Sequence, residues 1–231
     1  MTRSRGDDRR DHGSAIPWAR LVRLMQARLD AVSPLPSVSE VARVDHDPFR
    51  VLVATMISLR TKDAVTSAAS ERLFTAAASP QALSRLPESR IARLIYPAGF
   101  YRTKARALRK TARVLVAEHR GKVPRTIDEL LALPGVGRKT ANLVLNLGYG
   151  LPGICVDTHV HRISNRIGWV ATRTAEQTER ALMTVLPRRY WISINELLVR
   201  FGQTVCAPVS PRCSTCPITP WCARRGVTTS R

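Results

Sequence analysis

The sequence predicts an all-α protein, and three observations carry that expectation. Apolar residues recur at three- and four-residue spacing in segment after segment. No stretch alternates apolar and polar with period two. Capping residues, glycines and prolines punctuate the periodic runs.

The elements follow in order. An amphipathic helix is expected from Ser14 to Ala31, with Leu21, Leu24, Met25 and Leu29 on its inner face; Pro34 and Pro36 end it and form a linker. Asp47-Pro48 supplies an N-cap and a first-turn proline. Behind it Phe49, Leu52, Val53, Met56 and Ile57 define a buried helix. The polar loop Ser58–Asp63 follows, then a helix through Leu73, a short one from Ser79-Pro80 and another marked by Ile91, Leu94 and Ile95. The loop Tyr96–Tyr101 holds three of the twelve aromatics. A long helix then runs to His119, with Leu108, Ala112, Leu115 and Val116 inward, and Gly121 and Pro124 stop it.

The stretch Leu133–Asn142 (LPGVGRKTAN) joins two short helical runs. Thr126 and Glu129 form a capping box before the first, in which Ile127, Leu130 and Leu131 share a face. The second carries Ala141, Val144 and Leu145 and runs out at Gly148 and Gly150. Gly135 and Gly137 allow a tight turn of positive φ that leaves backbone N–H groups uncovered. Those groups open a helix, where the dipole favours an anion, and Arg138 and Lys139 add charge. The residues read as a helix–turn–helix with a phosphate-binding hairpin, the alternative being a plain αα-corner with a glycine bend. Beyond it come Val156-Asp157-Thr158-His159, a helix with Val160, Ile163 and Ile167, a capping box at Thr174 and Gln177, and a last helix with Ile194, Leu197, Leu198 and Phe201.

Length, charge and hydropathy narrow the function. At 231 residues and 44% hydrophobic, the chain has ample length for a core. No apolar run reaches membrane-spanning length and no hydrophobic leader opens the sequence, so a cytoplasmic protein with no membrane partner is expected. Residues 1–13 are expected to be a disordered tail. Net charge is +20; the first thirteen residues contribute +1 and residues 223–231 contribute +3, which leaves +16 on residues 14–222. Charge carried by a folded body points to a polyanion.

Two further features carry chemistry. Cys206, Cys213, Cys216 and Cys222 have the spacing Cys-x6-Cys-x2-Cys-x5-Cys, which suits Zn²⁺ or a [4Fe–4S] cluster, the single CxxC favouring the cluster. Cys155 is short, apolar-flanked and expected in the core, and Arg212 in the x6 loop could meet a phosphate. Lys139 lies in the first turn of a helix beside Arg138. Both the dipole and the neighbouring charge oppose a protonated amine and favour a nucleophile. Asp157 heads a helix, where it can cap the helix or steer proton transfers.

The LPGVGRKTAN hairpin, the Val156–His159 motif and the four-cysteine run, in this order, resemble the endonuclease III family of helix-hairpin-helix DNA glycosylases, from about residue 20 to 224. The resemblance implies two helical domains with a DNA-binding cleft between them. One is a six-helix barrel over 41–151, holding the helix-hairpin-helix at about 126–148; the other, 14–40 with 152–231, is an iron–sulfur cluster domain. It implies that Lys139 forms a Schiff base, that Asp157 is the catalytic aspartate, and that the four cysteines ligate a [4Fe–4S] cluster. DNA contacts then fall to Ser58, Arg60, Phe100, Gly135, Val136, Gly137, Arg138, His159 and Arg212.

The implied activity is a bifunctional glycosylase and abasic-site lyase, acting as a monomer on double-stranded DNA that holds damaged pyrimidines or abasic sites, at a bacterial nucleoid. Two positions depart from the family pattern: Arg60 stands where a Gln is familiar, and Phe100 where a Leu is. These bear on lesion range and opposite-base preference. The alternatives are an adenine- or thymine-removing mismatch glycosylase of the same superfamily, or a non-catalytic DNA-binding module with a structural metal. The presence of Lys139 argues against the adenine-removing enzyme, and Lys139 together with Asp157 argues against the binding module.

Overall fold

A computed structural model describes residues 16–30 and 35–231; the tail expected at 1–13 and the linker residue Pro34 lie outside them. Twelve α-helices and no strand are found among the described residues. They are α1 (Trp18–Asp30), α2 (Ser37–Asp45), α3 (Pro48–Ser58), α4 (Asp63–Ala76), α5 (Pro80–Arg85), α6 (Glu88–Ile95), α7 (Tyr101–Glu118), α8 (Ile127–Ala132), α9 (Arg138–Leu143), α10 (Thr158–Ile167), α11 (Ala175–Val185) and α12 (Ser193–Thr204).

Two separate hydrophobic cores organise them. The first draws on α2 to α9. Around the fully buried α3 residues Val51, Leu52, Ala54 and Ile57 pack Leu73, Leu83, Ile91, Ile95, Leu108, Leu115 and Leu130. The second joins α1 to the C-terminal third: Leu21, Met25 and Leu29 meet Val160, Ile163, Leu182, Ile194, Leu198 and Phe201. The first helix therefore completes a core whose other members come from the far end of the chain.

Local signals explain most boundaries. The Asp47 carboxylate accepts from Phe49 N at 2.9 Å ahead of Pro48, and Ser79 caps α5 ahead of Pro80. Thr126 and Thr174 cap α8 and α11. Where expectation and structure differ, the cause is tertiary. The segment after Pro36 is not linker but α2, a serine- and valine-rich helix. It is held by burial of Val38 and Ala42 and by Ser37 Oγ donating to Asp63 Oδ1 at 2.8 Å. Val116 and Leu131, both expected inward, are 37% exposed at the margins of their faces. After Leu143 the hairpin's second helix widens into a π turn over Val144–Gly148. A Cβ at Gly148 would come within 2.8 Å of Pro48 Cα, so α3 packs tightly against this turn.

Candidate active site and metal centre

The hairpin is tethered to the first core: Thr111 Oγ1 on α7 donates to Pro134 O at 2.6 Å, and Val136 N–H donates to Leu133 O. Gly135 uses the positive φ that the turn requires, at +76°, with a Cβ position already crowded by Ala107. Gly137 does not. It is extended (φ −102°, ψ 175°), and a Cβ there would meet nothing within 4 Å. The space in front of Gly137 is therefore open for close approach from outside. Among the described residues its N–H and that of Gly135 donate to no backbone oxygen, whereas the N–H of Val136 is already used.

Lys139 stands half-buried in the first turn of α9. Its carbonyl accepts from Cys155 Sγ at 3.6 Å, which ties the hairpin helix to the segment that leads into Asp157. Asp157 caps α10, with Oδ1 accepting from His159 N and Val160 N at 2.9 Å each. Both bonds use the same oxygen; Oδ2 takes part in neither. The cap expected from sequence is thus present, and it leaves one carboxylate oxygen for another task. Lys139 and Asp157 act on the same two neighbours. Burial pushes the Cys155 thiol far up, opposed by the Lys139 charge and assisted by that of Asp157. Burial lowers the His159 imidazole, with Asp157 and Lys139 pulling in opposite directions. Two residues eighteen positions apart in sequence thus share one electrostatic neighbourhood.

The remaining expected DNA-contact residues divide. Arg60 and Phe100 are exposed, both in left-handed backbone (φ 53° and 56°), and the guanidinium lies 5.6 Å from the ring centroid. Ser58 is half-buried with its hydroxyl donating to Thr55 O at 2.8 Å. The His159 ring packs beside Gly202 of α12, where a Cβ would collide with it, and faces Arg162. Arg212 is exposed. Arg138 is held by a bidentate ion pair with Glu179, at 2.7 and 3.0 Å.

Sequence reasoning missed Glu179, and it missed Lys104. The Lys104 ammonium is buried and donates to Ile57 O at 2.6 Å, Leu59 O at 2.5 Å and Thr61 Oγ1 at 2.8 Å, clamping the loop that carries Arg60. Burial lowers its pKa to about 8. Only its place one turn into α7, on the helix's apolar side, could have hinted at this.

The four cysteines Cys206, Cys213, Cys216 and Cys222 line one cavity, with Phe201, Val205 and Ile218 as its apolar wall. Donors point at the sulfurs: Arg166 NH1 reaches Cys206 Sγ at 3.3 Å and Arg224 N reaches Cys222 Sγ at 3.4 Å. Arg166 also donates to Ala207 O and Pro208 O, so one buried guanidinium shapes the first cysteine loop. Burial raises the thiols of Cys216 and Cys222. No three acidic, histidine or cysteine side chains among the described residues converge as a single metal ion would require. Four thiols around one cavity are a donor set that suits either Zn²⁺ or a [4Fe–4S] cluster.

The comparisons with known proteins agree with this geometry. The family described as HhH-GPD superfamily base excision DNA repair protein matches residues 53–188. The chain is 49% identical over 172 residues to Endonuclease III of Thermotoga maritima, covering 74% of this chain and 81% of that protein. It is also 49% identical over 183 residues to the chloroplastic Endonuclease III homolog 2 of Arabidopsis thaliana, covering 75% of this chain and 47% of that longer protein. Among solved structures, a trapped Endonuclease III–DNA covalent intermediate superposes with a TM-score of 0.78 at 34% identity, covering 89% of this chain and 93% of that one. The match over residues 53–188 and the 49% identity to the Thermotoga maritima enzyme place the chain in the HhH-GPD superfamily of base excision DNA repair proteins, on its Endonuclease III branch.

Proposed function

We propose that this DNA glycosylase and abasic-site lyase of base excision repair removes oxidised pyrimidines, with Lys139 as nucleophile and Asp157 as its electrostatic and proton-transfer partner. The observation that carries the reading is the tie from Lys139 O to Cys155 Sγ, two residues before the cap Asp157, which brings the hairpin helix and the head of α10 together. The damaged nucleotide is flipped out of the helix. The Lys139 amine attacks C1′, the bond from C1′ to the base breaks, and the base leaves with the electron pair. The Asp157 carboxylate, with Oδ2 uncommitted to the cap, stabilises the positive charge that develops on the sugar. Ring opening yields an imine. It acidifies the 2′ hydrogen, whose loss expels the 3′ phosphate by β-elimination.

The open space before Gly137 and the N–H groups there suit a phosphate, a contact independent of sequence. Arg60 and Phe100 suit the gap that the flipped base leaves, as a donor to the orphaned partner base and a ring that stacks. Ser58, His159 and Arg212 are proposed to meet DNA less directly, while the Val136 side chain is buried in the first core and its N–H is already donated. With +20 net charge, DNA affinity is expected to fall steeply with salt. The proposed setting is the bacterial nucleoid, and the proposed working form a monomer.

A [4Fe–4S] cluster is proposed on Cys206, Cys213, Cys216 and Cys222; when bound, it would cross-link the C-terminal loops. Arg166 and the Arg224 N–H would donate to its thiolates.

The test is borohydride trapping on duplexes containing an oxidised pyrimidine or an abasic site. Lys139→Ala is expected to abolish the covalent complex on both and still bind them. Asp157→Asn keeps an acceptor for the cap, and is expected to slow base removal by about 10²–10⁴, with more activity retained on the abasic duplex. A trappable imine from Lys139→Ala would name another amine; normal excision by Asp157→Asn would reduce Asp157 to a cap.

A further inference from the structure

Arg138 was expected to meet DNA phosphate, yet its guanidinium is already engaged. Nε donates to Glu179 Oε2 at 2.7 Å, and the second nitrogen donates to Oε1 at 3.0 Å. The Glu179 side chain is 4% exposed and that of Arg138 46%. A third donor, Asn142 Nδ2, reaches Oε1 at 3.3 Å. Arg138 and Asn142 are one helical turn apart on α9 and bracket Lys139, so a carboxylate on α11 grips the helix at both ends. Asn142 also faces Gly153, where a Cβ would come within 2.9 Å of its Oδ1. Gly153 opens the segment that carries Cys155 and Asp157. A single buried carboxylate thus touches Arg138, beside the lysine, and Asn142, three residues beyond it, and Asn142 touches the segment leading to the aspartate.

A desolvated carboxylate needs these partners, and a bidentate guanidinium fixes orientation as well as distance. A surface ion pair formed only for solubility would show neither the burial nor the third donor.

We propose that Glu179 is a positioning residue of the lyase: it withholds Arg138 from DNA phosphate and uses it, with Asn142, to hold the first turn of α9 so that the Lys139 amine faces Asp157. This rests on the assignment of Lys139 as nucleophile.

Two consequences have opposite signs. Removing the carboxylate frees a cation toward DNA, which steepens the salt dependence of binding by about one phosphate equivalent. It also lets Lys139 drift, and a misplacement of about 1 Å costs on the order of 10²-fold in rate. The experiment uses the iron-loaded full chain and an abasic duplex. It measures the single-turnover trapping rate at saturating protein, the slope of log affinity against log salt, and the melting temperature. Glu179→Gln preserves shape and is expected to trap about 10- to 100-fold more slowly, with a steeper slope and a near-unchanged melting temperature. The double variant Glu179→Gln with Arg138→Ala is expected to restore the slope and keep the slow rate.

A wild-type trapping rate in Glu179→Gln overturns the proposal, whatever the slope. So does a loss of rate matched by a loss of melting temperature with no change of slope, since that is ordinary destabilisation. Loss of trapping in Lys139→Ala, run alongside, keeps the two assignments apart: if that variant still traps, the nucleophile assignment fails first.

Discussion

The two cores are built on different principles. The first closes through helix packing alone. Its central helix, α3, has eight of its eleven residues buried, and helices surround it. The second starts the same way, with α1 on α10 and α12, but after Thr204 regular structure gives out. From Val205 to Arg231 the described chain holds one three-residue helical turn, and its buried apolar residues are Val205, Pro211 and Ile218. The four cysteines lie in this stretch. Where apolar burial cannot order the chain, a proposed metal cross-link stands in for it, as in small metal-folded domains. One half of the molecule should therefore respond to chelation and oxidation, the other to loss of apolar volume.

The largest expected effect tests that division directly. Cys213→Ser should cost the second half its iron and its protease resistance while the helices of the first half persist; limited proteolysis with iron analysis reads both, and an iron-loaded variant would break the comparison. Next in size is Leu52→Ala, fully buried in α3. It should cost about 2–5 kcal/mol in urea unfolding of the first core and leave iron content untouched.

Smaller is Lys104→Met. It strips the donor from the carbonyls of Ile57 and Leu59 and should cost about 1–3 kcal/mol at neutral pH. The wild-type lysine also titrates. Its folded value is lowered to about 8 from 10.5, so between those limits the unfolded chain holds a proton that the folded chain has released. This site therefore makes stability rise with pH through that window, and below it the burial penalty is full. The variant should lose that rise, measured as the difference in urea midpoint between pH 7.5 and 10. The smallest effect belongs to Cys155→Ser, within about 1 kcal/mol. The hydroxyl can still donate to Lys139 O, and iron should be unaffected; lost iron would add Cys155 to the ligand set.

What the sequence made legible was whatever is local. The caps at Asp47 and Thr174 and the apolar periodicity of α3 and α12 need no partner from elsewhere, and they were read correctly, although Gln177 closes its return bond on Arg173 N rather than on Thr174 N. The all-α class followed from them. The helix at Ser37–Asp45 was missed because its own residues favour it weakly; Asp63, twenty-six positions away, anchors its first turn. Glu179 and Lys104 escaped for the same reason. One is forty-one residues from its guanidinium partner and the other forty-seven from its first carbonyl, and neither separation has a sequence signature. Arg138 is the instructive case. Beside two glycines it reads as a phosphate ligand, and only the fold shows that a buried carboxylate holds it.

The placement of α1 sets an order of events during synthesis. Its apolar face, Leu21, Met25 and Leu29, belongs to the second core, yet its partner α12 is translated roughly 160 residues later, about 10–30 s at ribosomal speed. In that interval the whole first core can emerge and close. The helix that carries Lys139 then already packs on a folded scaffold, while the Glu179 carboxylate that grips it and the carboxylate of Asp157 wait for the last helices. A nascent chain therefore passes through a stage that holds the hairpin and the helix of the proposed nucleophile without its proposed partner. The apolar stripe of α1 meanwhile remains unsheltered until α12 arrives.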